Sequence, residues 1–264
     1  MTGAVDGLRV DMRASGAADV VLNRPERLNA LDPALLGALA VEIPRLADDD
    51  RVRAVVVRGA GRAFCAGGDM RSSAGAAEPL TVDERARRLR LWAGAAEALR
   101  TMPKPTLAAV RGPAVGAGLG LALACDLRLA APSAAFSAGY VKVGLSGDFA
   151  TAWSLTTHLG GSRARMMLLT GEPLTAEDAH RAGLVWRIVL DGELENEAHR
   201  AIDSLASGPR LALALIKANV ACAEGEPDWH GEALHHETAR DTPDHAEGRL
   251  AFAERRDPVY TATK

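Results

Sequence analysis

Short β-branched runs alternate with helical patterns through the first half of the chain, and that alternation restricts the fold more than any other feature. Ala18-Asp19-Val20-Val21-Leu22, Ala54-Val55-Val56-Val57, Thr106-Leu107-Ala108-Ala109-Val110 and Leu127-Arg128-Leu129-Ala130 read as buried strands, and Val185-Trp186-Arg187-Ile188-Val189 closes the series. Between the first two lies a helix with Asp32 as N-cap and Pro33 at its first position, which Pro44 is expected to kink or shorten. Strands separated by helices pair in parallel through right-handed crossovers, so the class is α/β. Beyond about residue 190 the pattern turns helical, with helices expected over 193–206, 210–223, 230–240 and 244–255. Pro209, Pro227 and Pro243 fall near the starts of three of them. The expected division is a core over residues 1–190 and a helical region over 191–264. Ser72 to Pro79, small and polar, reads as a mobile loop.

The 264 residues carry 31 Lys and Arg against 34 Asp and Glu, a net charge of −3 that argues against a dedicated nucleic-acid binder. No run approaches the roughly 18 apolar residues of a membrane span. Met1 to Asp11 lacks the basic-then-apolar pattern of a signal peptide. Cys65, Cys125 and Cys222 are odd in number and widely spaced in apolar surroundings, which reads as reduced packing residues rather than a disulfide frame or zinc site. A soluble, cytoplasmic protein is expected.

Two glycine-rich turns each follow a strand directly: Ala63-Phe64-Cys65-Ala66-Gly67-Gly68-Asp69-Met70, and Arg111-Gly112-Pro113-Ala114-Val115-Gly116-Ala117-Gly118-Leu119-Gly120. Such turns leave backbone N–H groups open, and a helix after the second adds the positive end of its dipole. Facing each other, they would form a backbone oxyanion hole, where each donor is worth about 10²–10³ in rate. Close helix–sheet packing is the competing reason for Gly116, Gly118 and Gly120. A dinucleotide fingerprint is excluded, because the spacing is G-x-G-x-G and no acidic residue ends a second strand about 20 residues on. The Gly-Lys-Ser/Thr of a P-loop is missing as well.

The chain resembles the crotonase superfamily, the enoyl-CoA hydratase/isomerase family. The resemblance rests on Leu22-Asn23-Arg24-Pro25-Glu26-Arg27-Leu28-Asn29-Ala30-Leu31, on Phe64-Cys65-Ala66-Gly67-Gly68-Asp69, and on Lys104-Pro105 through Ala124-Cys125-Asp126. Leu169-Thr170-Gly171-Glu172, Ala182-Gly183-Leu184-Val185 and Glu247-Gly248 to Arg255-Arg256 continue it in family order, from near residue 5 to near 260. It implies a spiral of β-β-α turns, C-terminal helices that build a trimer or a dimer of trimers, and an acyl-CoA substrate. By position it assigns the oxyanion hole to the N–H groups of Gly68 and Ala117. It assigns substrate contacts to Arg27, Leu28, Ala30, Ala66, Gly67, Asp69, Met70, Val115, Gly116 and Tyr140. No metal or redox cofactor is implied; coenzyme A enters as the substrate's thioester.

The resemblance breaks where hydratases of the family carry two glutamates. Those positions are Gly120 and Tyr140, and neither supplies a carboxylate. Asp148, in Val143-Gly144-Leu145-Ser146-Gly147-Asp148-Phe149, stands where double-bond isomerases of the family carry their acid/base. One carboxylate serves both proton transfers of a double-bond shift, and burial would raise its pKa toward that task. A second reading makes Asp148 the N-cap of a helix over Phe149 to Leu159. Dehalogenases of the family also place an aspartate here, with a histidine where this chain has Ala93, so dehalogenation is not expected.

Three functions are thereby on the table: an enoyl-CoA isomerase acting through Asp148, a hydratase using Asp148 and water, and a non-catalytic acyl-CoA binder. Ser146 is a candidate for the pocket wall, outside any G-x-S-x-G. His235 and His236 read as surface or subunit-contact residues on a C-terminal helix, with no H-E-x-x-H. Arg85, Arg87, Arg88 and Arg90 read as a solvated helix face, with CoA phosphates as the alternative partner.

Overall fold

The computed structural model describes residues 3–5, 7–71, 80–224, 231, 234, 238 and 242–260. An antiparallel meander comes first: β1 (Gly3–Val5), β2 (Leu8–Met12) and β3 (Ala17–Leu22). From β3 the sheet continues in parallel through β4 (Ala54–Gly59), β5 (Thr106–Val110), β7 (Leu127–Ala130) and β10 (Arg187–Ile188). The parallel pairing is the one the strand–helix alternation predicts. The antiparallel strands β1 and β2 were not anticipated, and the final strand is two residues where five were expected.

A second, three-stranded sheet of β6 (Pro113–Val115), β8 (Ala135–Ser137) and β9 (Leu174–Thr175) was not read from the residue pattern, although the β-β-α turns of the resemblance provide for a second strand. Its strands are too short for any hydrophobic period to register.

Alternate residues of the parallel strands face opposite ways, as the pleat requires. Val55, Val57, Ala108 and Val110 join the larger core beneath α1 (Pro33–Asp48), α2 (Val82–Thr101) and α3 (Ala117–Ala124). Ala54, Val56, Leu107 and Ala109 pack on the other face against Leu194, Ala198, Ile202 and Ala206 of α6 (Leu194–Ala206). Strands buried on both faces explain why the sequence shows continuous apolar runs rather than alternation.

Asp32 caps α1, accepting from the Leu35 N–H at 2.9 Å, with Pro33 at the first position. The helix is not shortened at Pro44; it continues to Asp48, giving up a single backbone bond. Thr81 and Glu84 form a reciprocal capping box at the start of α2. Arg85, Arg87 and Arg90 of that helix are exposed, while Arg88 stacks on Trp92 at 4.8 Å. α3 is apolar all round and buried throughout. α4 (Thr151–Thr170) breaks at Gly160, whose φ is +76°, and α5 (Ala176–Arg181) leads into β10.

α7 (Arg210–Ala223) and α8 (Pro243–Glu254) begin where Pro209 and Pro243 predict. The expected 72–79 loop, His235, His236 and most of the expected 230–240 helix lie outside the described residues. Cys65 and Cys125 are buried, but Cys222 is exposed, against expectation. Among the described residues no helix is long and apolar enough to cross a membrane.

Candidate active site

The two glycine turns are built against each other. Cys65 N–H donates to the Pro113 carbonyl at 3.0 Å, and Val115 N–H returns a bond to the Cys65 carbonyl at 2.9 Å. Gly67, at φ +87°, leaves so little room that a Cβ would lie 2.8 Å from the Val115 carbonyl oxygen. A Cβ on Gly118 would lie 2.6 Å from the Cys65 carbonyl oxygen. Close approach of backbone to backbone therefore demands both glycines. Burial pushes the Cys65 thiol up to about 12, so it serves this contact as an inert packing group.

Gly68, one residue on, is exposed, and a Cβ there would meet nothing. Ala117 is the first residue of α3, after Gly116 at φ +55°. Among the described residues, neither the Gly68 nor the Ala117 N–H donates to a protein acceptor. Two free donors beside a helix N-terminus can hold an oxygen that gains negative charge.

A third strand of chain lines this pair. Leu31 N–H donates to the Gly67 carbonyl at 2.8 Å and Asp69 N–H to the Leu31 carbonyl at 2.9 Å, while Ala66 N–H donates to Leu28 at 3.0 Å. Leu28 and Asn29 both adopt positive φ, 52° and 56°. Asn29, fully buried, accepts from Arg24 N–H and donates to the Ala60 and Ala63 carbonyls. Arg24 bridges Asp32 at 2.9 Å and Asp69 at 3.3 Å. Arg27 and Met70 are exposed at either end of this strip, Leu28, Ala66, Asp69 and Val115 are half-buried, and Ala30 is buried. The residues expected to contact the substrate thus come together around the paired turns, apart from Tyr140, which lies just behind them.

Tyr140 opens a short 3-10 turn (Tyr140–Val143) and is buried, its ring 3.5 Å from where a Cβ on Gly116 would stand. Its hydroxyl donates to Asp148 Oδ1 at 2.5 Å and lies 3.0 Å from Thr151 Oγ1. One phenol ring therefore spans from the second glycine turn to the carboxylate. Asp148 is half-buried; desolvation raises its pKa, and the Tyr140 hydrogen bond lowers it again in part. Burial and the adjacent carboxylate hold the Tyr140 phenol well above its ordinary range, so it stays neutral and donates.

Asp148 is not a helix N-cap. Phe149 and Ala150 take positive φ, 49° and 54°, and α4 starts only at Thr151, with Ala150 as a cap that makes no side-chain bond. This excursion turns the carboxylate away from the helix N–H groups and toward Tyr140. Thr151 is the neighbour of Tyr140 and Asp148 that sequence reasoning missed.

Gly120 has a steric cause. A Cβ there would lie 2.6 Å from Phe149 Cβ and 2.9 Å from Thr151 Oγ1. Phe149 occupies the ground a longer side chain at 120 would need. Ser146 is exposed on the loop before Asp148. Among the described residues, no group of His, Cys, Asp and Glu is arranged to hold a metal ion.

Comparison with known proteins identifies the family. A family model described as enoyl-CoA hydratase/isomerase matches residues 12–263. The 1,2-epoxyphenylacetyl-CoA isomerase of Escherichia coli K12 is 35% identical over 253 residues, covering 93% of this chain and 95% of that protein. The (E)-benzylidenesuccinyl-CoA hydratase of Thauera aromatica is 37% identical over 247 residues, covering 92% and 94%. A crystal structure of an enoyl-CoA hydratase from Polaromonas sp. JS666 superposes with a TM-score of 0.89 at 32% identity, covering 96% of this chain and 99% of that one. The α/β architecture is the crotonase fold. The chain belongs to the enoyl-CoA hydratase/isomerase family and is an acyl-CoA enzyme of that family.

Proposed function

We propose that this enzyme moves a carbon–carbon double bond along an acyl-CoA thioester, with Asp148 as the single acid/base. One observation carries the reading: the site holds a half-buried carboxylate of raised pKa at Asp148 and no carboxylate at 120 or 140. In this reading the thioester oxygen sits between the N–H groups of Gly68 and Ala117. Asp148 removes a proton from C2 of a 3-enoyl thioester. The C–H electron pair moves into C1–C2 and charge develops on the thioester oxygen, where each donor is worth about 10²–10³ in rate. The protonated Asp148 then delivers to C4, the double bond settles at C2–C3 and the carbonyl re-forms. Arg27, Leu28, Ala30, Ala66, Gly67, Asp69 and Met70 would hold coenzyme A, with Val115 and Gly116 against the acyl chain.

Hydration is the second reading, supported by the hydratase activity named for the Thauera relative. It needs water activated on one side and a proton supplied on the other, and a lone carboxylate does that poorly.

The test is product analysis with 3-enoyl-CoA and crotonyl-CoA. The isomerase reading expects 2-enoyl-CoA from the first and little 3-hydroxyacyl-CoA from the second. Asp148→Asn should lower isomerisation by about 10²–10⁴ while the thioester still binds. Undiminished turnover in that variant would remove Asp148 from the mechanism.

A further inference from the structure

We propose that Tyr140 and Thr151 are a positioning pair that occupies one oxygen of the Asp148 carboxylate, so that a single oxygen carries the proton and returns the one it took. The proposal rests on Asp148 being the acid/base.

The hydrogen count sets the direction of the chain. Tyr140 has one hydroxyl hydrogen, and the carboxylate oxygen at 2.5 Å takes it as the stronger acceptor. The contact at 3.0 Å is then a bond that Thr151 donates to the phenol oxygen. Thr151 also reaches Asp148 through the backbone, its N–H donating to the Asp148 carbonyl at 3.0 Å. Asp148 is held at both ends by groups that are themselves buried, Tyr140 and Thr151.

Oδ1 is occupied by the hydroxyl of a buried Tyr140. Oδ2 accepts no hydrogen bond from protein among the described residues.

The electrostatic surroundings are sparse. α3, on one side, has no ionisable side chain, and α4 has none before His158. Lys142, on the same 3-10 turn as Tyr140, lies against Gly171. Tyr140 is therefore the neighbour that sets the basicity of Asp148 against the effect of burial.

A carboxylate with one oxygen tied up and one free favours direct return. Oδ2 takes the C2 proton, the dienolate forms, and the same Oδ2–H protonates C4 before it can trade with solvent. Loss of the Tyr140 hydroxyl opens Oδ1 to water and gives the proton a route out.

The experiment follows isomerisation of a 3-enoyl-CoA in D₂O and counts deuterium per turnover in the early product by mass spectrometry. Wild type is expected to retain most of the transferred protium. Tyr140→Phe should raise deuterium incorporation several-fold, lower kcat about ten-fold with KM little changed, and move the acidic limb of kcat to higher pH. Thr151→Val, which loses only the donor behind Tyr140, should shift all three the same way by less, and it stands in if Tyr140→Phe does not fold.

In parallel, the ¹³C carboxyl titration of Asp148 in the unliganded protein should move to higher pH in Tyr140→Phe. Wild-type deuterium content together with an unmoved Asp148 titration would overturn the proposal. Should wild type isomerise no 3-enoyl thioester, the isomerase reading falls. The carboxyl titration alone then decides the pair: an upward move supports it and none overturns it.

Discussion

A carboxylate partly withdrawn from water is a cost to the fold unless something nearby keeps it charged, and at half-buried Asp148 one neutral phenol does so among the described residues. Its folded pKa is raised, so its contribution to stability is complete below the unfolded pKa and is lost as pH rises through the folded one. Asp148→Asn should therefore melt higher than wild type at about pH 8, with the gap closing toward about pH 4, by calorimetry. Gain of stability with loss of activity is the mark of a group placed for chemistry.

Restoring the hydratase carboxylates should fail for steric reasons. Gly120→Glu puts a Cβ into Phe149 and Thr151 and is expected to cost about 1–3 kcal/mol, without bringing crotonyl-CoA hydration, in denaturant melts and product assays. The sequence offered Asp148 as a candidate because its position matched a family pattern. It concealed Thr151, which becomes a partner only through two consecutive left-handed residues, Phe149 and Ala150. Nothing local in Phe-Ala-Thr announces that conformation, and the same turn defeated the N-cap reading.

At the scale of elements, the strip that faces the glycine turns depends on one side chain. Asn29 holds its own left-handed conformation and ties Arg24, Ala60 and Ala63 together through three hydrogen bonds. Asn29→Ala should cost about 2–4 kcal/mol in stability and raise KM for the CoA thioester more than it lowers kcat, by melts and steady-state kinetics. Arg128 does comparable work at the other end of α3. It is buried with no carboxylate bonded to it among the described residues, donating to the Cys125 and Leu184 carbonyls at 2.6 Å and closing the helix C-terminus. Arg128 was read only as part of a strand, because the carbonyls it serves come from two separate segments. The parallel strands were readable since burial on both faces leaves continuous β-branched runs. The second sheet was not, because strands of two or three residues carry no period.

For the whole molecule, the sheet separates the site from its support. The glycine turns leave β4 and β5 toward one set of elements, while α6 packs on the opposite face. Asp19 on β3 joins the layers there, bonded to Arg58 at 2.9 Å and to His199 of α6 at 3.0 Å. Ile202→Ala, at the centre of that interface, should cost about 2–5 kcal/mol. Because the deletion lies across the sheet from Asp148, it should leave the identity of the product unchanged below the melting temperature, by denaturant melts and product analysis. An equal fall in stability and a switch of product would show that the two faces are not separable.

The central claim is that Asp148 alone moves the proton. It is tested most directly by following acyl-chain protons by NMR in D₂O with 3-enoyl-CoA and crotonyl-CoA, in wild type and Asp148→Asn. The account predicts double-bond migration in wild type, migration slowed by about 10²–10⁴ in the variant, and retained thioester binding in both. Migration undiminished in Asp148→Asn, or crotonyl-CoA hydrated as the main reaction, would contradict it.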